Sequence, residues 1–164
     1  MEALAREVGD RLKSARTMVA TAESCTGGWA AQALTAVPGS SEWFERGFVT
    51  YSNDAKREML GVGADTLARY GAVSEETVRE MALGALANSR ARLSIAITGV
   101  AGPSGGTPAK PVGTVCLAWA VRDGPLRSET RHFAGDRENV RRQSVIRALE
   151  GLLELLTGPP PGHT

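Results

Sequence analysis

The run Thr21-Ala22-Glu23-Ser24-Cys25-Thr26-Gly27-Gly28-Trp29 changes from strand-like to small and polar, and then to helix-like. Ser24 stands at that junction. On a strand-to-helix turn a hydroxyl can project from the carboxyl edge of a sheet, while the N–H groups of the following turn point at whatever reacts with it. A nucleophile beside an oxyanion hole has those requirements. The spacing shares the geometry of the nucleophile elbow G-x-S-x-G but not its motif, because Ala22 and Thr26 fill the glycine positions. The same turn also suits an N-cap serine or a phosphate contact. A partner base is needed to separate these readings.

Lys56 is the candidate. Phe44 to Ser52 reads as a second strand ending in Tyr51 and Ser52, and Asn53-Asp54-Ala55-Lys56 opens a helix with Asn53 or Asp54 as its cap. The positive end of the helix dipole disfavours a cation there and lowers a lysine's pKa. A solvated surface lysine is the alternative. A serine needs a base and no His-Asp pair is apparent, so a Ser-Lys dyad on separate elements is the chemistry these residues suggest. Cys25 could replace Ser24 as nucleophile, but adjacent residues on a tight turn point in different directions. His132 and His163 lie in a strand-like run and in the tail, where no partner base is expected, so a Cys-His pair has no support.

These groups need elements to hold them. A helix over residues 2–16, with Leu4, Val8 and Leu12 at i, i+4 and i+8, covers the sheet. A strand over 17–21 leads to the first junction, and a helix runs from Trp29 to about Val37, stopped by Pro38-Gly39. After the second strand-to-helix unit come a short helix at Ala64–Tyr70 and a helix from Glu75 to about Ala91, capped by Ser74. Leu93–Thr98 is the clearest strand. It feeds the loop Gly99 to Gly113, whose glycines let N–H groups approach an anion and whose Ser104, Thr107 and Lys110 offer polar contacts, although it also reads as a flexible connector. Gly113–Val121 and Leu126–Phe133 form a hairpin around Asp123-Gly124-Pro125. A last helix from Asp136 carries Arg137, Arg141, Arg142 and Arg147, of which those near its start could reach a phosphate. In an open sheet the parallel strands present their carboxyl ends on one edge, so the three junctions converge.

The expected fold is a three-layer α/β/α sandwich around a mixed, mostly parallel sheet of about five strands. With 164 residues the chain suits one domain, 1–157, followed by a disordered Pro-rich tail, 158–164. Nineteen basic against eighteen acidic side chains leave a formal charge of +1, which gives no reason to expect nucleic acid or membrane as a partner. No apolar run reaches spanning length and the charged amino terminus is unlike a secretory signal, so a cytoplasmic location is expected. Two cysteines far apart argue against a disulfide framework and a structural zinc site.

Four stretches together resemble the CinA carboxy-terminal domain family. They are Thr21 to Gly28, Gly47-Phe48-Val49-Thr50-Tyr51-Ser52-Asn53 through Lys56, Gly71-Ala72-Val73-Ser74, and Thr98 to Gly106 with Lys110-Pro111-Val112-Gly113-Thr114-Val115. The resemblance runs from about residue 5 to residue 155 and, more narrowly, is to the stand-alone nicotinamide-nucleotide amidases. It implies hydrolysis of the carboxamide of nicotinamide mononucleotide, a small-molecule substrate, in pyridine-nucleotide salvage, without a metal or organic cofactor, by a homodimer. It implies Ser24 as nucleophile, Lys56 as base and Tyr51 as a neighbour that orients or relays the proton. Substrate contacts are implied for Cys25, Thr26, Gly27, Gly28, Asn53, Thr98, Gly99, Gly102, Ser104, Gly105 and Gly106, with Arg142 on the phosphate. The alternative is a nucleotide-binding or regulatory module, related to competence and DNA damage, that keeps the pocket without turnover.

Overall fold

The computed structural model describes residues 1–158. Apart from Gly158, the tail expected at 158–164 lies outside the described residues. Helix α1 (Glu2–Ser14) precedes strand β1 (Val19–Glu23), helix α2 (Trp29–Thr35), a 3₁₀ turn at Ser40–Glu42 and strand β2 (Phe44–Val49). Helices α3 (Asn53–Leu60), α4 (Ala64–Tyr70) and α5 (Glu75–Ala87) follow. Strands β3 (Leu93–Gly99), β4 (Thr114–Val121) and β5 (Leu126–His132) then lead to α6 (Arg137–Thr157).

The five strands form one sheet in the order β2-β1-β3-β4-β5. β1 pairs parallel with β2 and β3; β4 pairs antiparallel with β3 and also with β5, the latter as the hairpin signal at Asp123-Gly124 requires. Side chains alternate across the sheet. Leu93, Ile95, Ile97, Val115, Leu117 and Trp119 face a core shared with α1, α2 and α6; Ala96, Cys116, Ala118 and Ala120 face one shared with Met81, Ala82 and Ala85 of α5. Large residues on one face and small ones on the other set the spacing of the two helical layers. Two glycines allow the closest approaches. A Cβ on Gly84 of α5 would lie 1.9 Å from the Leu60 carbonyl oxygen of α3, and one on Gly151 of α6 would lie 2.2 Å from the Trp119 ring.

Several boundaries differ from the sequence reading, each for a local reason. β1 starts and ends two residues later than expected, which brings Ser24 directly onto its carboxyl end. β2 stops at Val49, and the cap of α3 is Ser52, whose hydroxyl accepts from the Ala55 amide at 3.0 Å; Asn53 is already helical. α5 ends at Ala87 because the Asn88 side chain turns back to the Gly84 carbonyl at 2.8 Å. The loop after β3 is folded back on itself: Val100 exchanges backbone bonds with Gly113 and Thr114, and Val112 fills the space left by Gly102 and Gly106.

Candidate active site

Glu23 pairs with Val49 on one side and Ile97 on the other, so β1, β2 and β3 end side by side. The turn after β1 is built around the Glu23 carboxylate, which is 1% exposed. It accepts from the Thr26 hydroxyl at 2.6 Å and from the amides of Ala30 and Ala31 at 2.8 and 3.1 Å, taking up donors at the start of α2 that its cap residue Gly28 cannot serve. Gly27 and Gly28 supply the positive φ values, 58° and 103°, that let the chain reverse there. The Ser24 amide is tied to the Ile97 carbonyl at 3.0 Å, and the Gly27 amide to the Ser24 carbonyl at 3.0 Å. Among the described residues the Cys25 amide donates to no other residue's backbone, so the residue after Ser24 keeps an amide that a substrate oxygen can engage.

Lys56 arrives from α3. Its side chain is 1% exposed, and its Nζ donates to Ser24 Oγ and to the Thr50 carbonyl, each at 3.0 Å. Thr50 is in turn held to the end of β1, its amide donating to the Glu23 carbonyl at 2.8 Å. No carboxylate forms a salt bridge with Lys56 among the described residues. Burial therefore pushes its pKa below the ordinary lysine value, because the charged form loses its hydration without gaining a counter-ion. The Cys25 thiol moves the other way. Burial, reinforced by the negative Glu23, lifts its pKa to about 12, so it stays protonated beside an alcohol whose partner is an amine.

Ser24 and Lys56 open into a pocket of about 320 Å³, at the lower end of the size range for small-ligand sites. Its wall includes Cys25, Tyr51, Asn53, Thr98, Gly99, Gly102, Ser104 and Gly105 among the residues singled out from sequence. It also includes Ala72, Val73, Val100, Ala101 and Arg137. Thr98 is oriented by its hydroxyl, which donates to the Ala72 carbonyl at 2.9 Å. Tyr51 is 61% exposed, and its hydroxyl accepts from Arg137 Nη2 at 2.9 Å; the two bonds of Lys56 go elsewhere.

Other expected contacts do not reach the pocket. Thr26 is turned inward onto Glu23, and Gly27, Gly28 and Gly106 do not line the pocket. Lys110 is drawn to the Tyr70 carbonyl at 2.6 Å, and the Thr107 hydroxyl accepts from the Lys110 amide at 3.0 Å. Arg142 pairs with Glu138 at 3.0 Å and lies over the Trp29 ring, outside the pocket. Arg137 takes the place expected for it. Its Nη1 donates to the Gly102 carbonyl at 2.8 Å, and no carboxylate forms a salt bridge with it among the described residues. The available signal was its place immediately after the cap Asp136, in the first turn of α6, where a side chain leans back over the helix start.

A buried amine of lowered pKa 3.0 Å from a serine hydroxyl, a neighbouring amide and a guanidinium at the pocket wall without a carboxylate partner among the described residues fit acyl transfer on an anionic substrate. Residues 1–156 match the model of the CinA C-terminal domain. The chain belongs to that family. A relative from Pseudomonas putida, named nicotinamide-nucleotide amidohydrolase PncC, is 57% identical over 94% of this chain and 96% of its own length. The protein of that name from Escherichia coli K12 is 54% identical over 91% and 90%. Among solved structures, the competence/damage-inducible protein CihA of Agrobacterium tumefaciens superposes with a TM-score of 0.92 at 49% identity, over 96% of this chain and 95% of that one. No described helix of this CinA domain is long and apolar enough to cross a membrane.

Proposed function

We propose that this CinA domain is a nicotinamide-nucleotide amidase, converting nicotinamide mononucleotide to nicotinate mononucleotide and ammonia. The observation that carries the reading is the 3.0 Å bond between Lys56 Nζ and Ser24 Oγ in the lining of a pocket whose wall holds Arg137. The names of the relatives at 57% and 54% identity support the choice of substrate.

In this mechanism uncharged Lys56 takes the Ser24 proton as the oxygen attacks the amide carbon. The Cys25 amide stabilises the resulting oxyanion, since it belongs to the residue after the nucleophile and donates to no other residue's backbone. Lys56 then delivers the proton to the departing ammonia, and water, activated by the same amine, releases nicotinate mononucleotide from Ser24. Arg137 meets the phosphate with charge-assisted bonds. Tyr51 acts through that guanidinium, orienting it. Neither residue of the dyad needs an ion to react.

Ammonia release from nicotinamide mononucleotide is the test. Wild type turns over and continues to do so in excess chelator, while Ser24→Ala and Lys56→Met each lose at least about a thousandfold in kcat. Binding that persists in all three proteins with turnover in none would leave a nucleotide-binding module in place of an enzyme.

A further inference from the structure

Arg141 of α6 reaches back to the turn that carries Ser24. Its Nε donates to the Cys25 carbonyl at 3.1 Å and its Nη2 to the Thr26 carbonyl at 3.3 Å. The guanidinium also lies over the ring of Trp29, the first residue of α2, at 5.5 Å from the centroid. Its neighbour Arg142 pairs with Glu138, and Arg147 with Glu129 and Glu154, whereas Arg141 forms no salt bridge among the described residues.

The two carbonyls differ in what else they have. Thr26 also accepts from the Trp29 amide at 3.0 Å, but Arg141 is the only donor to the Cys25 carbonyl among the described residues. Without it a carbonyl inside a buried turn loses its partner, a cost of about 1–3 kcal/mol that the turn can reduce only by moving. Ser24 and the Cys25 amide sit on that turn. The two carbonyls belong to the Cys25–Thr26 and Thr26–Gly27 peptide units, so the guanidinium fixes the two planar units that directly follow the Ser24–Cys25 peptide and its amide. Its field is felt there: it opposes the upward push of burial on the Cys25 thiol.

We infer that Arg141 is a positioning residue for the amidase reaction, holding the Cys25 and Thr26 carbonyls so that Ser24 and the Cys25 amide stay aligned, with a positive charge beside that turn. This rests on the amidase reading above. It predicts a loss confined to the chemical step, because Arg141 is not part of the pocket wall and touches neither Lys56 nor Arg137 by hydrogen bond.

The experiment compares wild type, Arg141→Met and Arg141→Lys with nicotinamide mononucleotide, alongside thermal melts. In Arg141→Met kcat falls about 10- to 100-fold, the range for a misplaced reacting group, while KM stays within about twofold. The acid limb of the pH profile keeps its position, since the Lys56 shift comes from burial and Arg141 does not contribute to it. Affinity for pyridine-3-boronic acid, which adds the serine oxygen to form a tetrahedral anion, falls in parallel with kcat, and affinity for nicotinate mononucleotide does not. Arg141→Lys recovers part of the loss by restoring the charge and one donor. If Arg141→Met does not melt cooperatively, Arg141→Lys carries the same comparison. A folded variant whose kcat equals wild type, or whose only change is a lower melting temperature, overturns the proposal. A wild type without turnover on the nucleotide sinks the amidase reading, and this inference with it.

Discussion

Lys56 ties the activity of the site to pH through its burial. A base must be uncharged to accept a proton, so kcat/KM rises with pH as Lys56 deprotonates. Burial without a counter-ion places that acid limb below the ordinary lysine value, and a pH–rate profile measures it. The same shift appears in stability. Between the depressed folded pKa and the ordinary unfolded one, the unfolded chain binds a proton that the folded chain does not, so wild-type stability rises with pH across that window. Urea unfolding of wild type and Lys56→Met should therefore show the difference between them moving in favour of wild type as pH rises through the window. A constant difference would place Lys56 in ordinary solvent. Glu23 carries the converse burden. Glu23→Gln keeps the size but turns one acceptor oxygen into a donor facing either the Thr26 hydroxyl and Ala30 amide or the Ala31 amide, with an expected loss of about 1–3 kcal/mol in denaturant unfolding.

At the scale of elements, the dyad depends on how α3 is held. Ser52 caps it, Leu60 seats its far end in the core shared with α5, and Gly84 lets the two helices touch. Gly84→Ala would drive a methyl group into the Leu60 carbonyl and push α3 away from α5. The expected result is a loss of about 1–3 kcal/mol with a fall in kcat, because Lys56 moves with its helix. Ser52→Ala is the milder version, costing about 1 kcal/mol through the lost cap. Normal turnover in Gly84→Ala would show that α3 tolerates the displacement. These dependencies explain why Lys56 could be picked out from the sequence, as a cation in the first turn of a helix, while its cap was misplaced. Ser52, Asn53 and Asp54 are all good caps, and which of them serves is decided by where β2 stops pairing with β1.

For the whole molecule, the pocket is closed by elements far apart in the chain, and α6 supplies the cation. Arg137→Ala should raise KM for nicotinamide mononucleotide about tenfold or more, the value of a charge-assisted bond, and leave KM for the phosphate-free riboside nearly unchanged. Arg142→Ala, outside the pocket and paired with Glu138, should move KM far less. Equal effects of Arg137→Ala on the two substrates would place the phosphate elsewhere.

The chain by itself determined which elements form and which junctions carry polar groups, because periodicity, caps and the Gly and Pro breaks are properties of neighbouring residues. It marked Ser24 and Lys56 as an alcohol and an amine at two strand-to-helix junctions. What it could not contain was the choice among four arginines on one helix, or the direction of Thr26, Thr107 and Lys110, each of which faces a partner other than substrate. Those outcomes depend on the separation and rotation of packed layers, set by large side chains on one face of the sheet and small ones on the other. Only the folded chain brings Arg137 across 86 residues to Tyr51 and Arg141 across 116 to Cys25, and the bonds made there follow from distances that sequence spacing does not encode.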